Sequence, residues 1–64
     1  MIVFEIAYAS GGVVDKSANA ADIEALADLL KAKARGDNSA PVKVNGLPHL
    51  TVGDIRSLEI RAEW

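Results

Sequence analysis

The 64 residues predict a two-layer α+β sandwich, with a single amphipathic helix packed on one face of a three- to four-stranded sheet. Three observations lead there. Residues 2–8 and 56–64 alternate with a period of two, as strands do. Between them, residues 19–35 repeat their apolar positions at helical spacing. Glycine, asparagine and proline clusters separate these runs. Half of the residues are apolar and a quarter are charged, with both signs mixed, so residues 1–64 read as one small globular domain.

In the first strand Ile2, Phe4, Ile6 and Tyr8 share one face, and Val3, Glu5 and Ala7 share the other. Both faces are apolar enough for a well-covered position in the sheet. Ser10-Gly11-Gly12 signals a turn, and Val13-Val14 offers a short returning strand. The helix is marked by Ile23, Leu26, Ala27, Leu30 and Ala34, which place Leu26 and Leu30 in the core. Asn19 is its expected N-cap, with Asp22 three residues on as in a capping box. Lys31, Lys33 and Arg35 near its end complement the helix dipole, and Gly36 stops it.

After the loop 37–41, Val42-Lys43-Val44 alternates, and Asn45-Gly46 favours a two-residue hairpin turn. Pro48 makes the returning segment 47–52 irregular or an edge. In the last strand Arg56, Leu58, Ile60, Ala62 and Trp64 oppose Ser57, Glu59, Arg61 and Glu63, giving one apolar and one charged face. The first and last strands are expected to be neighbours near the sheet centre. The order is then βαββ or, if Val13-Val14 forms a strand, ββαββ with those two strands parallel, as in a β-grasp.

Val42-Lys43-Val44-Asn45-Gly46, followed by Val52-Gly53-Asp54-Ile55, resembles the second half of β-grasp sulfur-carrier proteins. A family of RNA-binding domains shows a similar string. The resemblance implies a β-grasp fold but not the carrier function. Sulfur carriers end in Gly-Gly, whereas this chain ends Ala62-Glu63-Trp64.

No residue pattern predicts catalysis, so a non-enzyme is expected. His49 stands alone and lacks the partners a general base or metal site requires. Asp22, Glu24 and Asp28 read as solvated helix surface rather than as a cation site. Ser10 lacks a nucleophile elbow, and no phosphate-cradling glycine pattern occurs. There is no cysteine, so disulfides and thiolate metal sites are excluded, and no cofactor is implied. Lys43, Arg56 and Arg61 are weak candidates for a nucleic-acid patch, because the net charge is −2 and glutamates alternate with Arg61. The N-terminal run lacks a basic start and is interrupted by Glu5, unlike a signal peptide, and no run is long enough to span a bilayer. A cytoplasmic protein without membrane attachment is expected.

A domain of this size buries only about 60% of its unfolded surface, so packing or self-association must compensate for the missing staples. Leu29, outside the core stripe, and Trp64, in register with the core face, are the candidate partner contacts. The expected function is a small protein-interaction module that forms a homo-oligomer, a dimer being favoured, and that binds an unidentified protein partner in addition. Packing around Trp64 is preferred to pairing of a Pro48-containing edge. The short chain resembles accessory proteins of bacteriophage and mobile elements. The alternative is a nucleic-acid-binding or regulatory module using the charged sheet face.

Overall fold

A computed structural model of the chain describes residues 1–47 and 49–64. Strands β1 (Ile2–Tyr8) and β2 (Val13–Ser17) precede helix α1 (Ala20–Arg35). A 3-10 turn (Val52–Asp54) then leads into strand β3 (Ile55–Ala62). The sheet order is β2-β1-β3, and both pairings are antiparallel. This is the expected α+β class with three strands, but the chain order is ββαβ. The first and last strands are neighbours, as the sequence implies, yet they run antiparallel. A β-grasp needs a fourth strand, and none pairs among the described residues.

β1 occupies the centre, which accounts for its two apolar faces. Phe4 and Ile6 are fully buried beneath the helix, and Ala7 is buried on the opposite face. Val13-Val14 does form a strand, extending to Ser17 with Val14 opposite Ile6 and Lys16 opposite Phe4. On the other side Ile60 lies opposite Phe4 and Leu58 opposite Ile6. The register shifts between Ala7 and Tyr8, which pair with Ser57 and Ile55. Arg56 is thus the extra residue of a bulge, and Ile55 takes the inward place that strict alternation assigns to Arg56.

α1 has the local chemistry the sequence announces. The Asp22 amide donates to Asn19 Oδ1 at 2.8 Å, and the Asn19 amide donates back to Asp22 Oδ2 at 3.2 Å. Two amides at the open helix end are satisfied reciprocally. Gly36 sits at φ 76°, where a side chain would be strained, and its N–H bonds back to the carbonyl oxygen of Lys33.

Between α1 and β3 the described residues pack as a loop and form no fourth strand. Pro41 and Thr51 form an isolated bridge, flanked by Val42 N–H to Leu50 O (2.8 Å) and Val52 N–H to Ala40 O (3.0 Å). Beyond it the two arms separate. The turn closes through Leu47 N–H to Val44 O, with Gly46 at φ 86°. Asn45 has no positive φ, so the turn lacks the two left-handed residues of a type I′ hairpin. Val42 and Val44 are buried and Lys43 is exposed, so the alternation reports burial without strand pairing. The expectation resting on Pro48 lies outside the described residues. Gly53 donates to Asn38 O at 2.9 Å, and a Cβ there would meet that oxygen at 3.1 Å, so the close approach favours glycine.

The loop rotates the helix relative to the sequence expectation. Ala25, Leu26, Leu29 and Ala32 face the core with Phe4, Ile6, Val42, Val44 and Val52. Leu29 is only 5% exposed, whereas Leu30, expected in the core, is 50% exposed. The loop valines supply a second apolar wall, and the helix turns toward it. Replacing Leu26 by Ala is expected to cost about 2–5 kcal/mol in urea denaturation. Leu30→Ala should cost less than about 1.5 kcal/mol, since half of that side chain already meets water. Equal losses would contradict the observed helix orientation.

Candidate functional site

One helix cannot cover three strands, and the uncovered part is asymmetric. On the β2 flank the loop fills the space. Lys16 Nζ donates to Asn45 O at 3.2 Å, and the buried Asp22 accepts from the Asn45 amide at 3.4 Å. On the β3 flank nothing equivalent is present among the described residues. An open groove runs there between helix and strand, lined by Ile2, Ile23, Leu26, Ala27, Leu30 and Ile60. Ile60 is 46% exposed, and Ile23 and Leu30 are exposed beside it. Leu30 and Leu58 border a second notch toward the start of β3. At the opposite end Met1, Ile2, Ala62 and the fully exposed Trp64 form a further hollow.

Among the described residues β3 is also an unpaired sheet edge, as is β2 on the other side. The free groups of β3 follow from the ladder. Glu63 N–H donates to Met1 O, and the Met1 ammonium to Glu63 O, both at 2.7 Å, while Ala18 N–H bonds Ile2 O on the other side of β1. Antiparallel alternation therefore directs the amides and carbonyls of Ser57, Glu59 and Arg61 at β1. Those of Leu58, Ile60 and Ala62 point outward. The free backbone groups and the apolar groove lie along the same strand.

The open face of the sheet carries a different feature. Glu5 lies opposite Asp15 on one side and Glu59 on the other, so three carboxylates form a row across the sheet. Like charges directly opposite are destabilising. No group of three or more His, Asp or Glu among the described residues is arranged to hold a metal ion.

The sequence candidates separate in space. Trp64 is exposed beside the groove, as a contact residue requires, but Leu29 is buried in the core and offers no surface. Ile23, Leu30 and Ile60 are the exposed apolar residues that sequence reasoning missed, because periodicity assigned them to the core. Lys43 flanks the helix with Asp28 and Arg35, Arg61 lies opposite Val3 on the open sheet face, and Arg56 occupies the bulge, so these cations do not converge. His49 is an exposed loop residue at φ 64°. Asp22 is buried and spent on the helix cap, while Glu24 and Asp28 are exposed. Ser10 is exposed in the β1–β2 turn. Asp54 accepts from the Thr51 amide at 2.9 Å and from the Thr51 hydroxyl at 3.0 Å, which lowers its pKa below the ordinary aspartate value. No helix among the described residues is long and apolar enough to cross a membrane.

No family model, curated protein or solved structure matches the chain. Its own geometry is the basis for a functional reading.

Two measurements check the electrostatics. Glu5→Gln removes both like-charge contacts and should raise stability by about 0.2–1 kcal/mol. Salt should stabilise the parent chain more than this variant; an unchanged or lower urea midpoint for Glu5→Gln would contradict the acidic row. The Asp54 carboxyl should titrate below the usual aspartate range by NMR, and Thr51→Ala should move it part of the way back. Because the folded pKa is depressed, its stabilisation is present above the unfolded pKa and is lost as pH falls through the folded one. A titration at or above the ordinary aspartate value would contradict the Thr51 contacts.

Proposed function

We propose that this chain is a small non-enzymatic protein-interaction module that self-associates. The observation carrying the reading is the coincidence of an apolar groove with an unpaired strand. Ile23, Leu30 and Ile60 expose apolar surface directly beside the outward amides of β3. Natural edge strands are guarded by being short, or by lysine, proline or inward charges. β2 shows such guarding, with five residues and Lys16 on its helix-facing side. β3 is longer, with eight residues and no lysine or proline; its charges are Arg56 in the bulge at one end and Glu59 and Arg61 on the open face, with none on the helix side beside the groove.

The sequence-based preference for Trp64 packing assumed that the candidate edge contained Pro48. Among the described residues the edges are β2 and β3, and β3 contains no proline, which removes that objection to strand pairing. Trp64 extends the same surface beyond the end of the strand. The acidic row Asp15, Glu5 and Glu59 disfavours phosphate on the open sheet face, which weighs against the nucleic-acid alternative. A cytoplasmic setting belongs to the proposal, since no disulfide is needed to hold the fold. An accessory role in a bacteriophage or mobile element, acting on an unidentified protein partner, is its broadest form.

Light scattering after size exclusion, over about two decades of concentration, tests the reading. The mass should rise toward that of a dimer, and oligonucleotides should give no salt-dependent gel shift. A constant monomer mass contradicts self-association, and a salt-sensitive shift would favour the alternative.

A further inference from the structure

The geometry points to a specific mode of self-association: β3 pairs antiparallel with β3 of a second copy about a twofold axis at Ile60, making one six-stranded sheet. This rests on the self-association proposed above and supplies its interface and register.

The backbone restricts the choices. Outward-facing groups belong to Leu58, Ile60 and Ala62, so only registers that pair even-numbered residues with even-numbered residues form bonds. Charge then separates the Ile60-centred register from its two nearest neighbours. With Ile60 opposite itself, Glu59 faces Arg61 of the second copy, and Arg61 faces Glu59. Sliding one way, to pair Ile60 with Leu58, sets Glu59 against Glu59. Sliding the other way, to pair Ile60 with Ala62, sets Arg61 against Arg61 and Glu59 against Glu63. Like charges directly opposite oppose both slips.

The acidic row adds weight to the same Glu59–Arg61 contact. It runs Asp15, Glu5, Glu59 from one sheet edge to the other, and at the β3 end a position across the edge adjoins Glu59. In the Ile60-centred register Arg61 of the second copy occupies that position. Arg61 is free to turn toward it, because its 3.4 Å pair with Glu63 is solvent-exposed on both sides and weak. On the helix side the same register places Ile60 against Ile60 and Leu58 against Ala62. The axis is perpendicular to the sheet, so both helices lie on one face and the two grooves open into a single trough over the seam. Trp64 falls opposite Arg56 of the second copy, a suitable cation–π partner.

The chain itself provides the probe. Glu59→Lys and Arg61→Glu should each weaken homodimerisation at least about tenfold, because twofold symmetry repeats every like-charge contact. Mixed in equal amounts, the two variants should form a heterodimer. The lysine introduced in one copy then meets the glutamate introduced in the other, and the retained Arg61 meets the retained Glu59. Circular dichroism and urea midpoints establish that each variant is folded. A parent dimer that both single variants retain, or that mixing fails to restore, overturns the register and leaves self-association standing. A parent chain that stays monomeric at the highest concentration overturns both.

Discussion

The structure depends on one constraint, the covering of an apolar sheet face by a single helix. A helix with its side chains is about 10–12 Å across, while neighbouring strands lie about 4.8 Å apart. It can therefore cover the central strand and part of each flank, but not three strands completely. The chain resolves this on one side only. The loop after α1 carries Val42 and Val44 into the core and is tied to β2 through Lys16 and to the helix cap through Asp22. The β3 side has no such cover among the described residues, and the groove at Ile23, Leu30 and Ile60 results.

This constraint separates what the residues announce locally from what they do not. The ends of α1 are legible because Asn19, Asp22 and Gly36 act within a turn of chain. β1 and β3 are legible because a period of two identifies a half-buried strand whatever its neighbours. The helix orientation is not legible in this way. Its apolar residues fill two adjacent stripes, Ala25-Leu26-Leu29-Ala32 and Ile23-Ala27-Leu30-Ala34. The loop decides between them, through contacts distant in sequence. Leu29 and Leu30 consequently exchange their expected roles, and with them the candidate contact surface changes.

The same distinction explains why no fourth strand pairs among the described residues. Val42-Lys43-Val44 has the alternation of a strand, and Asn45-Gly46 has the composition of a hairpin. Alternation records which side is buried, and burial against a helix flank satisfies it as well as a ladder does. The Arg56 bulge is similarly silent in sequence, because strict alternation through residues 56–64 gives no sign of an extra residue. The exposure of Trp64 is not legible either, since alternation puts it in register with the core face. The self-complementary charge order of β3 is present in the sequence, but it acquires meaning only once β3 is known to be an edge.

The two apolar stripes of α1 thus divide between the chain's own core and the surface beside its free edge. Residue-resolved amide exchange on β3 tests this division most directly. In dilute solution the amides of Leu58, Ile60 and Ala62 should exchange rapidly, while those of Ser57, Glu59 and Arg61 are protected by β1. As concentration rises, the first set should become protected and the second should change little. Protection of Leu58, Ile60 and Ala62 already at dilution, or their continued rapid exchange where the mass has doubled, would contradict the account.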